Sequence, residues 1–573
     1  MTVTQLLDRF ISVDLLRSLE IFCPELILSA TVVLLLLCRM IGVDRRIPAC
    51  WIALAGSLAA FLGVVVQLRF MQSPGLELPS DFFGWAIGGA VRGLAALFHL
   101  TEEGVGTPGP YFTGLMMHDA LAVMFRLGLL LLLVLTLSLT VLTGLPDQED
   151  GADFYTLLLG AVVGMLMATG VNHLLMLFLS IEMMSVPSYA MVGYLKGRRQ
   201  SSEAALKFVV YGAGSAGVML YGLSLLAGLF GTANFHEFAA RFTVAMAGEP
   251  FSLTSGVVIL TLLGVAMLFV GIAFKLSLVP FHFWCPDAFE GASAEVAGFL
   301  SIASKAAVFG ALLRFATAFT GDGESIRQLT SYLGVGLAVV GAASMTLGNL
   351  AAYTQSNLKR MLAYSTIAHA GYMVLAVAAM MVFRSAAPGG LLGSRDPLQE
   401  SVLAVEGLIY YLAVYLFMNL MAFAAVAFIR NETYREDIDA CRGLITGNFW
   451  TQLVCVALLL SFASLIGIPP LGGFFAKFLI FRSIFVAGYL HPVLWGVLAI
   501  AGLNTVISLF YYFRVMRAVF ILPRAENQRP LEMPGVVAAY SVIIALPIFL
   551  LGASPLQARL SETARAISAS LFY

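Results

Sequence analysis

The chain has 573 residues, of which 60% are hydrophobic and 11% charged, with a formal net charge of -1 and a mean hydropathy of +0.92. An average soluble domain carries roughly 25% charged residues, so this composition describes an integral membrane protein. A near-neutral chain has no basic excess to attract nucleic acid, which argues against that class of partner.

The first apolar run begins near Leu19 after a polar start and continues too long for a cleavable signal, so it reads as a first span that stays. A helix needs about 20 apolar residues to cross the hydrocarbon, and lipid tolerates only helices or closed barrels. Fourteen stretches meet that need, at about 20–42, 49–67, 117–143, 153–171, 172–195, 201–230, 254–284, 295–319, 328–350, 357–383, 401–430, 447–483, 492–522 and 533–553. The predicted fold is therefore all-α and polytopic. The connection 68–116 is long, with Pro74, Pro79, Pro108 and Pro110 around an apolar patch from Phe82 to Leu100. That patch fits an amphipathic helix on the outer surface or an irregular packed loop equally well.

Short loops rich in Lys and Arg stay in the cytoplasm. Arg39, Arg45 and Arg46 follow the first span, Lys196, Arg198 and Arg199 the fifth, Arg430, Arg435 and Arg442 the eleventh, and Arg514, Arg517, Arg524 and Arg529 the thirteenth. All fall on one side if the count is right, which places both termini on the outer side of the cell's inner membrane. The acidic loop from Pro146 to Asp153 does not reinforce this, but acidic residues contribute little to the rule.

Two spans are interrupted. Lys275 to His282 carries Pro280, and Gly467 to Lys477 carries Pro469, Pro470, Gly472 and Gly473. Proline removes a backbone donor and clashes with the preceding turn, while glycine lets the chain unwind, so both helices should break near the midplane. Such kinks can serve packing alone. Breaks at corresponding places in two halves also point to an ion path in inverted-repeat transporters, and here each break comes with a lysine. The implied organisation is an N-terminal three-helix segment over 1–150, a first five-helix repeat over 151–320, a second over 321–525, and a last span with its tail over 526–573.

Embedded charges carry the functional signal. Lys207, Lys275, Lys305, Lys359 and Lys477 lie in otherwise oily stretches, and an ammonium at membrane depth costs several kcal/mol unless it faces water, a carboxylate or another polar group. Lysine, unlike arginine, can yield its proton in a partly dry site. Glu182, deep in the fifth span, needs a cation. Lys207 at similar depth is the natural candidate, although Lys207 can pair with Glu203 at i,i+4 instead. Ser301, Ser304 and neighbouring alanines leave room for solvent around Lys305. Lys477 would repeat its role in the second half. His369 can relay between them or simply pack with a hydrogen bond. Lys359, next to Arg360 at a span start, fits a positive-inside anchor better. Asp287 and Glu290 read as caps or contacts in a loop rather than an acid/base pair. The six cysteines, Cys23, Cys38, Cys50, Cys285, Cys441 and Cys455, are scattered with no CxxC and read as small buried hydrophobes. No dinucleotide fingerprint, phosphate loop, HExxH or nucleophile elbow is present, so any redox chemistry belongs to a partner.

The run from Lys275 through Pro280, His282, Trp284, Pro286, Asp287 and Glu290 to Ser304 and Lys305 resembles the proton-conducting signature of respiratory complex I and multisubunit cation/proton antiporters. Asn357 to His369 is similar to the family's second signature. The likeness covers spans four to thirteen. Within the family the chain looks most like the subunit N branch of proton-translocating NADH:quinone oxidoreductase: it starts Pro24-Glu25-Leu26-Ile27-Leu28, has Lys at 477 where M-type subunits carry Glu, and ends soon after the fourteenth span. The long loop 68–116 and Cys285, where Thr or Leu is usual, depart from the pattern, and neither is expected to touch the embedded charges.

The resemblance implies a translocase subunit without redox groups of its own. The matching positions, Glu182, Lys207, Lys275, Lys305 and Lys477, with His369 as relay, would conduct protons. NADH, FMN, iron–sulfur clusters and quinone would be held by partner subunits, and the neighbours would be an M-type antiporter-like subunit and small K-type and J-type subunits of the membrane arm, all within the lipid bilayer. Related memberships that share the signatures are a multisubunit sodium/proton antiporter and a membrane-bound hydrogenase-type complex.

Overall fold

The computed structural model describes residues 14–42, 46–71, 105–146, 150–195, 197–246, 250–387, 395–524, 530–553 and 555–572. The Phe82 to Leu100 patch lies outside them, as do Arg45, Lys196 and Arg529 of the basic loops.

Fourteen apolar helical passes are present among the described residues. Thirteen are long: α2 (Cys23–Ile41), α3 (Ala49–Phe70), α4 (Ala120–Thr143), α5 (Gly151–Thr169), α6 (Leu174–Val192), α7 (Arg199–Phe230), α9 (Gly256–Leu276), α11 (Ala294–Thr317), α12 (Glu324–Tyr353), α13 (Leu358–Arg384), α14 (Pro397–Thr433), α15 (Phe449–Ile466) and α17 (Val493–Phe520). The last, α18 (Gly535–Leu550), is shorter. Shorter helices complete the chain: α1 (Leu16–Ile21), α8 (Phe235–Ala245), α10 (Trp284–Gly291), α16 (Gly472–Ala487) and α19 (Leu556–Ala569).

Local chemistry sets the boundaries. Asp119 caps α4 by accepting from Ala122 N at 2.8 Å. Asn357 caps α13 through Arg360 N at 3.1 Å, and Asn448 caps α15 through Thr451 N at 2.8 Å, each satisfying a donor the helix cannot. Hydrophobicity then sorts the helices by depth. α13 is buried along its apolar length and α11 nearly so, whereas α2, α7 and α17 keep most of theirs open. The bundle thus has a protein-only axis and a lipid-facing rim. Around α13 pack α10, α11, α12, α14 and α16. α12 and α13 approach so closely that a Cβ at Gly371 would fall 2.7 Å from Gly341 O.

Both predicted interruptions are real. α9 stops at Leu276 and the chain resumes as α10 at Trp284; α15 stops at Ile466 and resumes as α16 at Gly472. Asp287 and Glu290 therefore stand in helix α10, not in the loop expected from sequence.

Two features escaped the sequence reading. Gly109–Tyr111 (β1) and Met116–His118 (β2) form an antiparallel hairpin, with Pro110 opposite Met117. It is tied down where Met117 N donates to Gly170 O at 2.7 Å and Arg126 donates to the Tyr111 hydroxyl at 2.7 Å. The tail, in turn, folds back as α19 along α14. There Arg565 Nε meets the carboxylate of the buried Glu406 at 3.0 Å and Ser561 donates to the same group.

Loops of one parity meet at one end of the bundle. Asn431, in the last turn of the eleventh pass, donates to Thr143 O at 2.9 Å, and Arg39, in the last turn of the first, pairs with Asp153. At the other end Leu174 N donates to Ala233 O at 2.9 Å and Arg314 to Thr169 O at 2.7 Å. The described basic loops therefore share a face.

Gly473 is a tight point of this architecture, since a Cβ there would fall 1.9 Å from Ser464 O. Gly473→Ala must push the two halves of the interrupted pass apart, at roughly 1–3 kcal/mol. Thermal unfolding in detergent should show a lower midpoint, while Gly496→Ala, in open space, should leave it unchanged.

Candidate functional site

A helix that stops inside the bilayer leaves its last carbonyls without intrahelical partners and with a partial negative charge of roughly half a unit. At the end of α9, Ser277 adopts φ 58° and Leu278 N returns to Ala273 O at 2.8 Å. Trp284 Nε1 donates to Phe274 O at 2.9 Å. Leu276 O receives Lys305 Nζ at 3.1 Å from α11. At the end of α15, Gly467 turns with φ 94° and its N–H, with that of Ile468, goes to Ala463 O. Lys477 Nζ, from the resumed half α16, takes both Leu465 O and Ile466 O at 2.9 Å. The two lysines thus hold matching places, each an ammonium on the carbonyl end of a severed helix.

Lys275 is also buried but has aromatic neighbours. Its Nζ lies 5.0 Å from the Tyr189 ring centroid, 5.3 Å from that of Phe208 and 5.6 Å from that of Phe274. Its charged counterpart is Glu182, which acts on it through space without an ion pair inside 4 Å among the described residues. Lys477 similarly has the Tyr372 ring 4.8 Å away.

His369 stands between the halves, within the fields of both Lys477 and Lys305. Its Nδ1 shares a hydrogen bond with the Tyr411 hydroxyl at 2.6 Å and its Nε2 faces the Tyr512 hydroxyl at 3.4 Å. Tyr512 in turn meets Ser365. Asn349 joins the same core, receiving Tyr511 OH at 3.1 Å and donating to Asn504 Oδ1 at 3.1 Å. The Tyr415 hydroxyl, beside Asn419, is buried without a well-formed hydrogen bond. A chain of exchangeable hydroxyls therefore surrounds the imidazole.

Two expectations change. Lys207 does not pair with Glu182. Its ammonium sits on Glu203 at 2.9 Å and Asp287 at 2.8 Å, 40% exposed, because the long α7 carries it toward the face of the basic loops. Arg360 completes that cluster, meeting Asp287 at 2.6 Å and Glu290 at 2.7 Å, around a cavity of about 190 Å³. Lys359 is no surface anchor: it is fully buried, bonded to Glu436 at 2.9 Å and to Ala292 O at 2.6 Å. Cys285 lies within the field of Lys305 and has its sulfur 3.9 Å from Thr366 Oγ1.

Sequence reasoning also passed over Glu25 and Arg126, both fully buried and 2.9 Å apart, and Asp119 with Arg314 at 2.7 Å. A cation in the middle of the third apolar run, Arg126, was the available signal.

The family described as NADH:quinone oxidoreductase/Mrp antiporter, TM, matches residues 171–387 and 398–504. The chain belongs to that family. NADH-quinone oxidoreductase subunit N 2 of Sorangium cellulosum is 32% identical over 547 residues, covering 94% of this chain and 96% of that protein. Subunit N of Anaeromyxobacter sp. is 36% identical over 451 residues, 76% of this chain and 82% of that one. A chain of respiratory complex I from Thermus thermophilus, solved with bound aureothin, superposes with a TM-score of 0.67 at 29% identity, over 94% of this chain and 98% of that one. A chain of the Mrp complex from Dietzia sp. gives a TM-score of 0.71 at 17% identity, covering 97% and 98%, which shows a shared fold. The protein is accordingly a homologue of NADH-quinone oxidoreductase subunit N.

The two classes of ion pair should respond differently to truncation. Lys207→Ala removes an exposed pair and should cost under about 1 kcal/mol. Arg126→Ala strands the Glu25 carboxylate in the interior and should cost roughly 3–5 kcal/mol. Chemical or thermal denaturation of the purified subunit assembly resolves the two.

Proposed function

We propose that this subunit conducts protons across the bacterial inner membrane, driven by quinone reduction in a distant part of the complex. The observation that carries the reading is the pair of buried lysines, Lys305 and Lys477, each placed on the open carbonyl end of an interrupted membrane helix. Lysine suits this position. An ammonium brings three donors and a neutral amine still brings two, so Lys477 can lose a proton and keep both carbonyls satisfied. Arginine, effectively always charged, could not.

In this mechanism Glu182 and Lys275 form the input. A change in charge next to Glu182 weakens its hold on Lys275. At an effective dielectric of about 20, a unit charge about 7 Å away alters an interaction by roughly 2 kcal/mol, more than one pKa unit. Lys275 releases its proton toward Lys305; His369 and its tyrosines relay it to Lys477; exit is to the outer side, where both termini lie. Lys207 acts with Glu203, Asp287, Glu290 and Arg360 as a charged rim on the cytoplasmic side rather than as the partner of Glu182. In this reading NADH, FMN, iron–sulfur clusters and quinone are held by partner subunits. M-type, K-type and J-type subunits are its neighbours in this scheme.

The test is substitution in the complete complex reconstituted in liposomes. Lys275→Ala, Glu182→Ala and Lys477→Ala should each abolish proton pumping together with coupled quinone reduction, while Lys207→Ala should retain a substantial part of both. Pumping at the wild-type rate in any of the first three removes that residue from the path.

A further inference from the structure

Glu295 is the least explained charge in the molecule. It stands in the first turn of α11, is 1% exposed, and neither carboxylate oxygen has a hydrogen-bond partner among the described residues. A buried carboxylate without partners is costly and persists where it has work to do. Its charged neighbour is Lys359, whose ammonium donates to Ala292 O at 2.6 Å, three residues before Glu295 in the chain. Lys359, fully buried, holds Glu436 at 2.9 Å, and Glu436 keeps a side chain 16% exposed on the face of the basic loops, with Arg430 at 3.6 Å. Backbone pairing fixes this arrangement: Leu358 N donates to Glu436 O at 2.8 Å. Two acids and a lysine thus lead from the cytoplasmic rim into the dry interior.

Inward from Glu295 the polar groups continue. Ser301, on the same helix, accepts from Asn419 Nδ2 at 2.5 Å. Asn419, Tyr415 and Tyr411 follow one another at four-residue spacing on α14, which puts them on one face. The Asn419 Oδ1 and the Tyr415 hydroxyl are both buried without a well-formed hydrogen bond, and the Tyr411 hydroxyl reaches His369. The ladder therefore ends on the imidazole already placed between Lys305 and Lys477.

Resting on the proton-path reading above, we infer that Glu295 is a proton-uptake carboxylate, loaded from the cytoplasm through Glu436 and Lys359 and feeding His369 along the Asn419–Tyr415–Tyr411 face. In the loading step an N–H bond of the Lys359 ammonium breaks and an O–H bond forms on Glu295, directly or through solvent. The neutral amine left behind is reprotonated from the aqueous side by way of Glu436. This entry serves the second half and runs through Glu436 rather than through the Asp287 and Glu203 pairs of Lys207.

The experiment uses the assembled complex in liposomes, with Glu295→Gln, Glu295→Asp and, as a reference, Lys477→Ala. Glu295→Gln keeps the volume but cannot carry a proton, and should slow pumping about tenfold, equivalent to about 1.4 kcal/mol in barrier. Glu295→Asp should restore most of it. Redox-induced infrared difference spectra of the wild-type complex should contain a carboxylic-acid C=O band that is missing in Glu295→Gln. Wild-type pumping in Glu295→Gln, equal loss in Gln and Asp, or absence of that band overturns the assignment. If Lys477→Ala stops pumping while Glu295→Gln does not, only the uptake site falls; if Lys477→Ala pumps normally, the lysine path itself falls.

Discussion

Everything in the interior follows from two helices that end among buried residues. An unpaired backbone carbonyl in hydrocarbon costs several kcal/mol, so α9 and α15 can stop at Leu276 and Ile466 only because other groups take over their last oxygens. Side chains do part of that at each end: Trp284 and Lys305 for α9, Lys477 for α15. The exchange serves both parties. The carbonyls are satisfied, and the ammonium groups gain the partial negative charge of a helix terminus. A structural problem and a functional need are thus solved by the same contact, which makes the fold and the site hard to separate by mutation.

How far this is legible from sequence depends on whether the signal is local. Proline and glycine act on their own turn, so both breaks can be read directly, as can the fourteen passes, whose length is dictated by the bilayer. Depth along a helix is much less local. Lys207 and Glu182 look level when two regular helices are assumed, but α7 begins at Arg199 and runs to Phe230, and its lysine meets Asp287 of α10 instead. Lys359 looks like an anchor because Arg360 follows it. The structure sends the two in different directions: Lys359 to Glu436 within the bundle, Arg360 to Asp287 and Glu290 at its rim. Adjacent residues on a helix point about 100° apart, and sequence alone does not say which of them faces the axis. The hairpin Gly109–His118 was hidden for another reason, since three-residue strands between prolines carry no periodicity to detect.

The remaining buried ion pairs belong to a different category from the lysines of the path. Glu25 with Arg126 and Asp119 with Arg314 are each an acid matched to arginine. They join elements distant in sequence: α2 to α4, and the α4 cap to the end of α11. Arginine keeps its charge throughout, so such pairs are fixed fasteners. Their value lies in specifying which helix meets which rather than in net stability, because desolvation offsets most of the attraction. Where the chain needs a fastener it uses arginine, and along the proposed path it uses lysine, histidine or tyrosine.

The two carbonyl-capping lysines are not equivalent, and the difference suggests a direction. Lys305 donates to one carbonyl and has a soft neighbour in Cys285, with Thr366 just beyond. Lys477 is held by two carbonyls and lies against the Tyr372 ring. Fewer bonds must break for Lys305 to swing away from Leu276 and hand its proton to the hydroxyls around His369. Lys477, more firmly held, is better placed to receive a proton than to carry one back. An asymmetry of one hydrogen bond, about 1 kcal/mol on average and more when the donor is charged, lets Lys305 leave its carbonyl several-fold more readily than Lys477 leaves its pair.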